Sequence, residues 1–258
     1  HHHPAYEPWC RDHGPVFVVN TSQRAVLNWG YNAWGGKYPP YDLDNAVPEQ
    51  IASVRGLPCF TPDMILEGGS IEVNGQGTLI TTESCLLKPN RNPALDRAAI
   101  EQRLSDYLGV RKVLWLGEGI AGDDTDGHVD DLTRFVDAQI VVTAVEPDPQ
   151  DPNHTPLQVN LQRLQAVHTQ DGDPLRVIEL PMPEPVLDQG ERLPASYANF
   201  YIGNRTVLMP AFGQSRDADA QAILQQCFPS RRVLPLDSTD LIRGLGSFHC
   251  LTQQEPWG

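Results

Sequence analysis

Residues 71–80 read IEVNGQGTLI, two short β-prone runs on either side of Asn74-Gly75. Asn-Gly between such runs is the strongest short-range signal for a hairpin. The same shape returns at Asn199–Met209 (NFYIGNRTVLM) around Gly203-Asn204, and more weakly at Val16–Leu27 and Thr133–Val142. Helical patterns follow these hairpins at Asn45–Val54, Leu95–Leu108, Leu157–Val167 and Ala218–Cys227. Pro93 just ahead of the second helix and Gly109 just behind it fit the preference for proline at helix starts and glycine at helix ends. Compact apolar runs at Val113–Leu116, Arg176–Leu180 and Arg232–Leu236 read as closing strands. The chain is therefore expected to be an α/β protein built from a repeated ββαβ unit. One unit cannot bury both its sheet face and its helix, so the copies must share a core. A radial arrangement then brings the polar loops at the strand ends to one place. The Pro-rich stretch Glu146–Pro156 reads as a surface loop.

Composition narrows the function classes. The formal charge is −14, from 19 Lys+Arg against 33 Asp+Glu. Nucleic-acid binders need basic faces, so no nucleic acid is expected, whereas an acidic field attracts a cationic small molecule. No run approaches the length of a membrane span and no signal peptide is visible, so no membrane and a cytoplasmic setting are expected. The opening His1-His2-His3 is set aside. The five cysteines are odd in number and show no CxxC spacing, which argues against a disulfide framework or a structural zinc site.

Four polar clusters lie between the repeated units: Trp9–Pro15 (WCRDHGP), Glu67–Ser70 (EGGS), Gly122–Asp130 (GDDTDGHVD) and Gly246–Pro256 (GSFHCLTQQEP). Cys250, beside His249 and near Gln253 and Gln254, is the best nucleophile candidate, because a thiolate is intrinsically reactive. Cys59, Cys85 and Cys227 lie in or beside apolar runs and read as inert. His128 is the candidate proton shuttle. Asp130 lies two residues on, which in an extended segment puts both side chains on one face. The aspartates around it lack the spacing of an EF-hand loop, so no metal is expected. Asp12 and Glu67 add carboxylates, and carboxylates can hold a planar guanidinium by paired hydrogen bonds.

These clusters, in this order, resemble the agmatine deiminases of the peptidylarginine/agmatine deiminase family, among the guanidine-modifying enzymes. The strings that carry the resemblance are WCRDHGP, EGGSIEVNGQGT, WLGEGIAGDDTDGHVD, ASYANFYIGNRTVLMPAFG and GSFHCLTQQEP, spread from Trp9 to Pro256. The resemblance implies a pentein, an α/β-propeller of ββαβ modules with pseudo-fivefold symmetry. It implies Cys250 as nucleophile, His128 as acid/base, and Asp12 and Asp130 as guanidinium-binding carboxylates. Glu67 either contacts substrate or orients the histidine, and Trp9 lines the pocket for the substrate tail. The implied reaction turns agmatine into N-carbamoylputrescine and ammonia, a step toward putrescine in polyamine biosynthesis, with no cofactor. Asp124, and with it Asp123, is expected near the amine end of the substrate.

The segment ahead of Trp9-Cys10-Arg11-Asp12 lacks the helix and strand that precede the other clusters. The expectation is one catalytic domain over 1–258 whose first module is truncated. Two alternatives stay open: deimination of free or peptidyl arginine, or amidino transfer, and an impaired member that only binds cationic ligands. Assembly into a homo-oligomer also stays open.

Overall fold

A computed structural model describes residues 1–256. Along the chain run the turn α1 (Cys10–His13), strands β1 (Val16–Val19) and β2 (Arg24–Leu27), short helices α2 (Ala33–Gly36) and α3 (Asp42–Asn45), helix α4 (Val47–Arg55) and strand β3 (Cys59–Phe60). There follow β4 (Ile71–Val73), β5 (Thr78–Thr82), α5 (Glu83–Leu86), α6 (Arg97–Leu108), β6 (Lys112–Leu116), β7 (Thr133–Asp137), β8 (Ile140–Val145), α7 (His154–Gln165) and β9 (Arg176–Pro181). A small ribbon of β10 (Leu187–Asp188) and β11 (Glu191–Arg192) precedes β12 (Tyr201–Ile202), β13 (Thr206–Ala211), α8 (Arg216–Cys227) and β14 (Arg232–Asp237).

Four three-stranded sheets result, ordered β1-β2-β3, β4-β5-β6, β7-β8-β9 and β12-β13-β14. In each, the first pair is antiparallel and the second parallel, with a helix in the crossover. This is the ββαβ unit read from the hairpin spacing. Among the described residues no sheet closes on itself.

The expected helices form, with corrected ends. Asp96 caps α6 by accepting the Ala99 amide at 2.8 Å, so this helix begins at Arg97 rather than Leu95. Helices α7 and α8 each start ahead of their first apolar residue, because a helix opens on polar positions that no apolar pattern marks. The Asn45–Val54 pattern divides into α3 and α4, with Pro48 in the first turn of α4, where its missing N–H costs nothing. The end of the supposed Glu146–Pro156 loop is the first turn of α7, and Glu146 and Asn153 are buried.

Each helix buries its apolar stripe on its own sheet. Ile100 and Leu104 of α6 pack with Leu79 of β5, and Leu224 of α8 with Val207 and Val233. Burying such a side chain contributes about 1.5–3 kcal/mol. The modules are joined through their first strands. Arg134 of β7 donates to Glu72 of β4 at 2.9 Å and to the carbonyls of Ala198 and Phe200. One buried guanidinium thus ties the second, third and fourth modules together, and the loops beyond these strands face one another.

Candidate active site

The cysteine and aspartate clusters are brought together by main chain. The Arg11 amide in α1 donates to the Cys250 carbonyl at 3.0 Å, and the Cys10 thiol to Leu251 O at 2.8 Å. Asp12 is then locked by two donors, the Gly69 amide to Oδ1 and the Trp34 indole to Oδ2, both at 2.9 Å. Gly69 belongs to the 3₁₀ turn Gly68–Ser70, and a Cβ there would lie 2.6 Å from His128 Nδ1 and 2.7 Å from Asp12 Oδ1. Only glycine lets the imidazole and the carboxylate approach one another. His128 Nδ1 stands 3.6 Å from Asp12 Oδ1.

Asp130 does not reach the site along an extended segment. His128 leads directly into a 3₁₀ turn, Val129–Asp131, and the turn carries both Asp130 and Asp131 inward. Asp130 Oδ2 accepts from His249 Nδ1 at 2.6 Å and lies 3.7 Å from Cys250 Sγ, while Oδ1 has no partner. Asn199 ties the remaining parts together. Its Nδ2 donates to Cys250 Sγ at 3.0 Å and to Asp131 Oδ1 at 2.9 Å, and its Oδ1 accepts the amides of His249 and Cys250.

Beside these groups lies a pocket of about 170 Å³ lined by Trp9, Asp12, Trp34, Tyr38, Asp124, Asp131 and Cys250, with Glu7 and Arg243 also on its wall. Trp9 and Asp124 both line this pocket. Asp123 does not: it is spent on the loop, accepting from the amides of Thr125, Gly127 and His128. Glu67 lies behind the pocket, where Oε1 accepts from Arg91 Nε at 2.8 Å within a fully buried ion pair. The sequence reading missed Asn199, Asp131 and Trp34. It also dismissed Cys85, whose sulfur lies in one buried group with His128 and Glu67.

Burial pushes the Cys250 thiol well up, and Asp130, Asp131 and Asp12 push it further against the Asn199 hydrogen bond. Asp130 is itself raised to about 7 by burial, with Asp12 adding to the rise and His128, Arg134 and Arg11 opposing it. Burial alone would discharge His128, but Asp12, Cys85 and Asp130 outweigh it and keep the imidazolium well above its ordinary range. His249 is driven well down by burial and by Arg11, Arg134 and His128, so it is neutral and donates to Asp130. The pocket holds more buried acid than its own cations can balance, and a bound cation would relieve it.

Fold and site together define a class: an α/β protein of repeated ββαβ modules with a thiol and carboxylates lining one pocket and an imidazole set beside one of those carboxylates. The family model described as Porphyromonas-type peptidyl-arginine deiminase matches residues 1–256, and the chain belongs to this family. It is 40% identical to the agmatine deiminase of Pseudomonas fluorescens (strain Pf-5) over 97% of this chain and 74% of that relative. The structure of Enterococcus faecalis agmatine deiminase catalysing its reaction superimposes with a TM-score of 0.93 at 37% identity, covering 96% of this chain and 74% of that one. Substrate-bound agmatine deiminase of C. jejuni gives 0.88 at 34% identity, over 95% and 72%.

Proposed function

We propose that this chain is a hydrolase that deiminates agmatine to N-carbamoylputrescine and ammonia through a covalent thiouronium on Cys250. The observation that carries the reading is the approach of Cys250 Sγ to Asp130 Oδ2 at 3.7 Å, beside a pocket whose wall includes Asp12 and Asp131. The names of the relatives support agmatine as substrate.

In this mechanism the guanidinium lies between Asp12 and Asp130. The oxygens of Asp12 keep a second lone pair each, and Asp130 Oδ1 is wholly free. The arriving cation offsets the acidic surroundings that hold the thiol protonated and promotes loss of its proton to solvent water, so the substrate helps to form its own nucleophile. The thiolate attacks the guanidinium carbon. His128 gives a proton to the departing ammonia, leaving an S-alkylthiouronium, and then takes one from the water that adds to the same carbon. Collapse expels the thiolate and leaves the ureido product. Glu67, pinned by Arg91, lies within 4.8 Å of the imidazole and behind it rather than against the substrate. Trp9 flanks the aliphatic stem, and Asp124 with Glu7 meets the terminal amine.

The described residues belong to one catalytic domain. The pseudo-fivefold α/β-propeller expected from sequence stays the proposed full architecture, supported by four modules of one topology, three of them tied together at Arg134. No helix among the described residues is long and apolar enough to cross a membrane.

A second reading, deimination of free arginine, is favoured by one observation: Arg243 lines the same pocket and could meet an α-carboxylate. Ammonia release from agmatine, arginine and a peptidyl arginine, measured side by side, decides between them. Agmatine should be preferred, and Cys250→Ala should release no ammonia while keeping the fold. Preference for arginine, or turnover by Cys250→Ala, overturns the corresponding claim.

A further inference from the structure

We propose that Glu67, Cys85 and His128 form a buried site for a thiophilic divalent cation such as Zn²⁺, whose binding immobilises the imidazole from behind and shuts the active site. Glu67, Cys85 and His128 are 0, 0 and 1% exposed, and one donor atom from each lies within 4.8 Å of the other two. They come from three segments: the residue ahead of the Gly68–Ser70 turn, helix α5, and the residue ahead of the Val129–Asp131 turn.

Two observations point to a missing ligand. Glu67 uses Oε1 for Arg91 and leaves Oε2 without a hydrogen-bond partner, and the ring nitrogens of His128 make no hydrogen bond of normal geometry, Nδ1 standing 3.6 Å from Asp12 Oδ1. An unpartnered buried polar group costs about 1–3 kcal/mol, so groups gathered beside a thiol are unsatisfied unless something binds them. The donors themselves select the ligand. One thiolate, one imidazole and one carboxylate suit zinc, with a fourth position left for water. Calcium and magnesium call for more oxygen ligands and no sulfur. Tetrahedral Zn–N, Zn–O and Zn–S bonds place ligand atoms about 3.4–3.7 Å apart, so closing the site from separations within 4.8 Å requires a contraction of no more than about 1.1–1.4 Å.

Arg91 beside Glu67 is the electrostatic objection. Asp126 pairs with the same guanidinium and offsets it, while Lys37 and Lys88, which also reach Asp126, are solvent-exposed and screened. Binding displaces the Cys85 proton and one proton of the His128 imidazolium and takes the nitrogen lone pair so freed, so that nitrogen can no longer carry a proton. The cation is thus an inhibitor and not a cofactor of the reaction. The inhibitory effect rests on the proposed role of His128, but the binding does not.

The test is Zn²⁺ titration of the chelator-treated protein, with bound metal counted by atomic emission, for the parent chain, Cys85→Ala and Cys250→Ala. His1–His3 can bind metal in every variant alike, so the differences are what is read. Cys250→Ala should keep the tight equivalent and Cys85→Ala should lose it. Zinc inhibition of agmatine hydrolysis should weaken at least tenfold in Cys85→Ala. With Co²⁺ as probe, the near-ultraviolet thiolate-to-metal band should vanish in Cys85→Ser, which also serves if the alanine variant does not fold. Loss of the equivalent in Cys250→Ala, or its persistence in Cys85→Ala, overturns the proposal. A parent chain that binds zinc through Cys85 but does not hydrolyse agmatine would refute the function and spare the site.

Discussion

Asn199 grips Cys250 at both ends: its Nδ2 donates to the sulfur at 3.0 Å and its Oδ1 accepts the backbone amide at 3.3 Å. Asn199 Nδ2 also donates to Asp131 Oδ1 at 2.9 Å, so one side chain fixes a thiol against a carboxylate. The hydrogen bond to sulfur is the contact that favours the thiolate, against burial and three aspartates that favour the thiol.

Removing that grip should impair the nucleophile more than the fold. Asn199→Ala is expected to cost about 10- to 100-fold in kcat/KM, the worth of a hydrogen bond of about 1.5–3 kcal/mol to a charged group. The pH profile of Cys250 alkylation by iodoacetamide should shift to higher pH. An unchanged alkylation profile would show that Asn199 does not tune the sulfur.

Much of this site could be read from the chain because its chemistry sits in turns with distinctive residues. Cys250, His128, Asp12 and Trp9 each stand in a short polar string, and the Asn-Gly and Gly-Asn hairpins marked the module period. What escaped depends on the path of the main chain. The 3₁₀ turn after His128 decides that Asp131 lines the pocket while Asp130 is held by His249, and no side-chain periodicity reveals such a turn. Asp123 and Asp124 are alike in sequence, yet the first folds back on three amides and the second faces the pocket. Asn199 has no chemical signature of its own within ASYANFYIGN. Cys85 was dismissed on its apolar neighbours, although it packs against His128 and not only into the core.

Gly69→Ala tests the closeness of the catalytic groups. The added methyl would lie 2.6 Å from His128 Nδ1, 2.7 Å from Asp12 Oδ1 and 3.1 Å from Asp130 Oδ2, so all three must move. Displacement of about an ångström can cost on the order of 100-fold in rate. The expected outcome is therefore a fall in kcat of about that size with a near-normal circular dichroism spectrum. His128→Ala should lose about 10²–10⁴-fold. A glycine substitution that is kinetically silent would mean that this turn does not set the geometry.

The pair of Glu67 and Arg91 should matter most to stability. Both side chains are fully buried, and Arg91 also reaches Asp126 and the Thr125 carbonyl. Arg91→Met strands a buried carboxylate, and breaking such a pair from one side costs about 3–5 kcal/mol. Urea unfolding should show that loss, and Glu67→Gln combined with Arg91→Met should recover part of it. No recovery in the double variant would show that the stranded charge is not the source of the cost.

Asp130 should leave its mark on the pH dependence of both stability and activity. Its folded pKa of about 7 lies above the value of about 3.9 for an exposed aspartate. Between those values the native state holds a proton that the unfolded chain has released, so stability must fall as pH rises from about 4 to about 7. The raised His128 adds a slope of the same sign above its unfolded pKa of about 6.5. The Asp130 share is at most about 4 kcal/mol, from roughly three pKa units at 1.36 kcal/mol each. Asp130→Asn cannot ionise and should remove that share, so the variant gains on the parent chain as pH is raised from 5 to 8 in urea unfolding. Activity runs the other way: guanidinium binding needs the carboxylate, and kcat/KM for agmatine should climb through about pH 7. If the stability difference between the parent and Asp130→Asn stays constant across that range, the buried carboxyl is not holding the proton, and the charge balance drawn for the pocket fails with it.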